Sequence, residues 1–73
     1  MVIRASDGYR ADAILVDGVE RACDVVWFDV STHEVGLVRR NERGDVLYDE
    51  ATAEIACDVV VAKTLKIEGL TKR

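Results

Sequence analysis

Proline is absent from this 73-residue chain, and cysteine, glycine and the aromatic residues are scarce: two cysteines, five glycines, one tryptophan, one phenylalanine and two tyrosines. Each scarcity removes a class of function. Cys23 and Cys57 stand far apart, and with the single His33 they match no zinc spacing of the CxxC and HxxxH kind, so no metal is expected. Two cysteines are also too few for a disulfide framework, which points to a reducing compartment. Tyr9, Trp27, Phe28 and Tyr48 are too widely spaced to form a base-stacking platform. No apolar run approaches the roughly eighteen residues of a membrane span, and the opening Met1-Val2-Ile3-Arg4-Ala5-Ser6-Asp7 has no apolar segment of a secretory leader. Neither a GxxxxGK run, nor GxGxxG, nor a GxSxG elbow is present, so no nucleotide cofactor and no activated serine is expected.

Charge narrows the partners further. Fourteen acidic residues against ten basic ones give a net charge of −4, a poor balance for binding nucleic acid or an anionic membrane. The last dozen residues are locally basic through Lys63, Lys66, Lys72 and Arg73, which reads as a solvated tail. A chain of this length makes one domain, residues 1–73, and buries only about 60% of its unfolded surface. Small domains of this kind draw extra stability from disulfides, a metal or another subunit. With the first two unsupported, association with another chain remains, and a homo-oligomer is expected.

The residues that are present describe strands and turns. Asp7-Gly8 precedes the first apolar segment, and Asp17-Gly18 separates Ala13-Ile14-Leu15-Val16 from Val19-Glu20. Asn41-Glu42-Arg43-Gly44 separates Leu37-Val38-Arg39-Arg40 from Asp45-Val46-Leu47-Tyr48. Asp-Gly between apolar runs is a strong hairpin signal, because a type I′ turn needs two consecutive positive φ angles, and two hairpins are predicted. Ser31-Thr32-His33-Glu34 reads as a turn, the other reading being one helical turn with Ser31 as N-cap and Glu34 closing a capping box. Near the C-terminus Ile55, Cys57, Val59, Val61, Leu65 and Ile67 alternate with Ala56, Asp58, Val60, Ala62, Thr64 and Lys66, interrupted only by Lys63. That period predicts one long half-buried strand with the first set inward. Residues 49–56 are rich in helix formers and leave room for one short helix. The fold class expected is all-β, a small twisted antiparallel sheet or partly closed barrel of about five strands. Residues 1–8 and 69–73 are expected to be flexible termini.

Glu20-Arg21-Ala22-Cys23-Asp24-Val25-Val26 recurs as Glu54-Ile55-Ala56-Cys57-Asp58-Val59-Val60, with six of seven positions identical. Duplication, two equivalent strands and coincidence are all open. Equivalent strands would point Cys23, Val25 and Trp27 inward together with Cys57, Val59 and Val61, and would turn Asp24 and Asp58 outward. The cysteines then read as buried, inert thiols, since no neighbouring cation in sequence lowers their pKa.

No residue is assigned a catalytic role. His33 reads as a surface histidine with no announced nucleophile or orienting partner. Arg43-Gly44-Asp45 reads as turn chemistry rather than as an adhesion tripeptide. Val25-Val26-Trp27-Phe28 is apolar on both faces, as in a central strand covered on both sides. Trp27 is taken as the core anchor. Phe28 on the opposite face, with Val26 and Val30 two positions to either side, is the expected contact with another chain.

Val16-Asp17-Gly18-Val19-Glu20, Asp24-Val25-Val26 and Arg40 with Arg43-Gly44-Asp45-Val46-Leu47-Tyr48-Asp49 resemble segments of small, acidic, β-rich proteins encoded among tailed-bacteriophage or prophage virion genes. The resemblance spans about residues 16–67 and consists of turn and strand patterns, so no functional residue carries over. The thin core, the doubly apolar strand at 25–28 and the absence of a legible site lead to a non-enzymatic structural or assembly-associated protein that acts through protein–protein contacts and self-association, and the resemblance adds a phage or prophage particle as its setting, with other phage structural proteins as partners. Such a protein is made in the reducing cytoplasm, with the virion as its further location. An alternative from another class is a small acidic inhibitor of a host nucleic-acid-binding protein, presenting Asp17, Glu20, Asp24, Asp29, Glu42, Asp45 and Asp49.

Overall fold

In the computed structural model, which describes residues 1–72, the chain is all-β and antiparallel throughout. Its strands are shorter and more numerous than the alternation suggested. They are β1 (Val2–Arg4), β2 (Tyr9–Arg10), β3 (Ala13–Val16), β4 (Val19–Glu20), β5 (Val25–Asp29), β6 (Glu34–Val38), β7 (Cys57–Val61), β8 (Leu65–Glu68) and β9 (Thr71–Lys72). Three sheets form, in the orders β1-β5-β6-β7, β4-β3-β8 and β2-β9, and none closes into a barrel.

Local chemistry accounts for the turns. Asp17 and Gly18 have φ of 51° and 84°, the left-handed pair of a type I′ turn, so Val16 pairs with Val19 and Leu15 with Glu20. At the end of β5, Asp29 Oδ1 accepts the Ser31 amide at 2.9 Å and the Ser31 hydroxyl at 2.6 Å. His33 then turns with φ of 61° into β6, so the segment is a turn and not a helix. Around Asn41 the side-chain Oδ1 collects the amides of Arg43 and Asp45 at 2.9 and 3.0 Å, and Arg40 meets Val46 in a single bridge. The second hairpin therefore exists as a tight turn without flanking strands. Residues 49–54 form a closed turn rather than the short helix: Asp49 Oδ1 accepts the Ala51 amide, the Asp49 carbonyl accepts that of Ala53, and the Asp49 amide donates to Glu54. Among the described residues the single helical element is a 3₁₀ turn at Ala5–Asp7, ended by Gly8 at φ of 88°.

The long C-terminal strand is broken. Asp17 Oδ1 accepts the amides of both Lys63 and Thr64, at 2.7 and 3.0 Å, and the Asp17 amide donates to the Thr64 carbonyl at 2.9 Å. The chain leaves the four-stranded sheet at Val61 and enters the three-stranded sheet at Leu65, carrying the buried Ala62 between them. This jog also reverses the expected facing of β7: Val60 and Ala62 turn inward, while Val59 and Val61 are exposed.

The core joins Ile3, Phe28, Val35 and Leu37 of the four-stranded sheet to Ile14 and Val16 of the other, with Ala62 beside them. Ile3, Phe28, Val35 and Val60 lie directly opposite one another across four successive strands, and Val35 is 0% exposed. Residues opposite in register share a face, so this row defines the inner surface. Both termini, expected to be flexible, are paired strands. Residues Val2–Arg4 pair with Trp27–Asp29, and Thr71–Lys72 pair with Tyr9–Arg10, where the Lys72 ammonium sits 5.1 Å from the Tyr9 ring. Arg73 of the tail lies outside the described residues.

Candidate interaction surface

The inner row fixes what lies on the outside of the same sheet. Arg4, Trp27, Gly36 and Val59 form the next row across the four strands, and Val2, Asp29, Glu34 and Val61 the one after it. Side chains alternate along a strand, so both rows face away from the core. Gly36 has no side chain to project there, and the indole of Trp27 fills the space above it. Val59 and Val61 complete the surface on β7, at 55% and 71% exposure. The result is a patch of half-buried tryptophan and exposed valine on the outer side of the sheet.

Charge is confined to the rim and is largely satisfied. Asp29 Oδ1 is held by Ser31 and lies 3.3 Å from the N-terminal ammonium. These bonds, the Ser31 hydroxyl first, bring its carboxyl pKa down to about 2. Glu34 accepts the Thr32 hydroxyl at 2.9 Å. Beyond β6, two adjacent arginines take the two equivalent aspartates of the repeat. Arg39 donates to Asp58 at 2.6 and 2.9 Å, and Arg40 to Asp24 at 3.1 and 3.2 Å. The Arg39 hydrogen bond holds the Asp58 carboxyl below its ordinary range, and the same contact raises Arg39.

The expected contact residues do not form one surface. Phe28 is a core residue at 3% exposure, because its side of β5 is the side that meets Val35 and Ile3. Trp27, taken as the inward anchor, lies on the outer face and is half-buried there. Val26 sits at a bulge where the β5–β6 register shifts, and lines a small cleft with Ile3, Tyr9, Trp27, Phe28 and Leu70 of about 70 Å³. Val30 is 49% exposed, in the turn after β5. Neither cysteine is buried: Cys23 is exposed in the turn before β5, and Cys57 is half-buried at the start of β7. The repeat does place β5 and β7 on the two sides of β6, running in the same direction, but Trp27 and Val59 share Gly36 as a neighbour rather than Trp27 and Val61 standing equivalent. Val59 and Val61 went unrecognised as surface residues; the available signal was a five-residue strand without lysine, arginine or proline.

His33 is half-buried, its Nδ1 3.3 Å from the Ala62 carbonyl while its own carbonyl accepts the Ala62 amide at 2.9 Å. It is a clamp between the turn and the jog. Of the carboxylates considered for an inhibitory surface, Asp17, Glu20, Asp24, Asp29 and Asp49 accept hydrogen bonds from this chain's own amides, hydroxyls or guanidiniums. Among the described residues no group of three metal-ligating side chains converges, and no helix is long and apolar enough to cross a membrane.

Fold and surface together define an antiparallel all-β domain whose four-stranded sheet carries Trp27, Val59 and Val61 on its outer side. Compared with known proteins, the chain matches no family model, and no curated protein or solved structure matches it.

Proposed function

We propose that this chain is a non-enzymatic assembly module, a structural or assembly-associated protein of a tailed-phage or prophage particle that works by self-association and protein–protein contact. The observation that carries the reading is the outer face of the four-stranded sheet, where the half-buried Trp27 and the exposed Val59 and Val61 lie on one side. Contiguous apolar surface on a small domain marks a contact site, and aromatic residues are enriched at the centres of such sites. The turn and strand pattern over residues 16–67 supports the particle as the setting.

The test is mass in solution by light scattering across micromolar concentrations, together with sedimentation against particles assembled from the neighbouring genes. An oligomer, or co-sedimentation, is expected, and Val61→Lys should weaken it while leaving the circular dichroism spectrum of the folded chain unchanged, since Val61 is solvent-exposed. A chain that stays monomeric and does not sediment with particles overturns the proposal.

A further inference from the structure

We infer that the open edge of β7 is completed by a second copy of this chain, paired antiparallel edge to edge about a two-fold axis at Val59, which continues the outer face into the partner's. The inference rests on the assembly reading above and names its strand and register.

The first ground is the backbone. The Ala62 amide donates to His33 and the Arg39 amide to Ala56, which sets the phase of the β6–β7 ladder. In an antiparallel pair the inward-bonding positions alternate, so Asp58 and Val60 bond to β6. The N–H and C=O groups of Cys57, Val59 and Val61 therefore point to the open edge. Their side chains are the ones on the outer face, so free backbone and free apolar surface coincide on the same three residues. An open row of amides and carbonyls specifies an extended strand as its occupant.

The second ground is the contrast with the other edges. β4 has only two residues, β8 carries Lys66 and Glu68 as an ion pair along its length, and β1 carries Arg4 and the N-terminal ammonium. Short edges and edge charges are the usual guards against strand pairing. β7 has five residues and no basic group or proline, and its one charge, Asp58, lies on the side of Val60 and is paired with Arg39.

The third ground is self-complementarity, which selects a second copy and its register. A two-fold axis at Val59 sets Val59 against its symmetry mate and Cys57 against Val61, so all three outward residues meet apolar partners. An axis at Asp58 would set two carboxylates directly opposite, an unfavourable pairing of like charges, and an axis at Val60 would set Cys57 against Lys63, which lies beyond β7 with its amide held by Asp17. With the axis at Val59, each Asp58 faces Val60 of the other copy and keeps its own Arg39. The four-stranded sheet doubles into one continuous sheet, and the two Val59 side chains lie beside the two Trp27–Gly36 pairs.

Two variants test the pairing on the full chain. Val59→Pro removes an N–H that faces the open edge and not β6, so the β6–β7 ladder is retained. Its mass is expected to fall to that of one 8.1 kDa chain, with an unchanged circular dichroism spectrum. Val59→Cys, in a chain with Cys23→Ser and Cys57→Ser, places the two new thiols on hydrogen-bonded partners about 5.5 Å apart at Cα, within disulfide range. Oxidation with diamide is expected to give a covalent dimer, and Val19→Cys on β4 in the same background is expected to give none. If the native chain is oligomeric but Val59→Pro leaves its mass unchanged or Val59→Cys does not cross-link, the β7 pairing is overturned and the assembly reading stands. A native monomer that co-sediments with particles overturns the second copy alone, and a native monomer that does not overturns both.

Discussion

The indole of Trp27 lies across Gly36, its register partner on the adjacent strand, so closely that a β-carbon at Gly36 would overlap Nε1, Cδ1 and Cε2 of the ring. Tryptophan and glycine here act as one unit: the absent side chain makes the bed for the largest one. That unit flattens the outer face of the sheet and holds Trp27 at its centre.

Gly36→Ala is accordingly expected to destabilise the fold by about 1–3 kcal/mol, the usual cost of overpacking. Urea denaturation measures it, and emission from the only tryptophan reports the displaced ring. In a Trp27→Ala background the same substitution should cost nothing, because the overlap is gone. Equal costs in both backgrounds would show that the ring is not the cause.

Asp17 is bound to residues 46 and 47 positions away in sequence. Asp17→Ala removes the acceptor of two amides and leaves a β-carbon residue at positive φ without a compensating bond, an expected loss of about 2 kcal/mol. Asp17→Asn keeps an acceptor oxygen and tolerates the left-handed conformation, so it should cost less than about 1 kcal/mol. Hydrogen exchange at Lys63 and Thr64 should rise in the alanine variant and not in the asparagine one.

The pKa of Asp29 is lowered from 3.8 to about 2 in the folded chain. The folded state therefore binds fewer protons than the unfolded state in this window. Its contribution to stability is complete above about pH 4 and is lost as pH falls toward 2. Asp29→Asn should flatten the stability profile between those values, as read by urea midpoints at successive pH. A profile unchanged by the substitution would count against the Ser31 and N-terminal contacts.

Phe28→Ala is expected to cost about 3–5 kcal/mol, the loss of a buried aromatic side chain. A chain of 73 residues has a total stability on the order of 4–11 kcal/mol, so the variant should lose from about a quarter of it to all of it. Circular dichroism checks this directly. Unchanged folding with weakened self-association would instead mark Phe28 as a contact residue.

The turns were legible in the sequence for a local reason. Asp17-Gly18 needs two positive φ angles whatever surrounds it, and Asp29 with Ser31 closes its turn within three residues. The break at Ala62-Lys63-Thr64 was signalled only by Lys63 falling in the inward set, and the carboxylate that makes it, Asp17 of the first hairpin, is distant in sequence. Of the surface residues, the valines of β7 were read as inward since alternation gives two faces without saying which is covered. The jog at Lys63 then carries the chain from one sheet to the other, so Leu65 and Ile67 remain half-buried while Val59 and Val61 do not.

Sequence alone determined the all-β class and the positions of the principal turns, through β-branched alternation and residues that tolerate positive φ. Tertiary structure decided which side of β5 and β7 is the inside. A strand such as Val25-Val26-Trp27-Phe28 offers nearly equal apolar area on both faces, so local pattern leaves the choice degenerate. It is resolved by volume across the sheet: Phe28 finds Ile3 and Val35 beneath the second sheet, and Trp27 finds the space left by Gly36 on the surface.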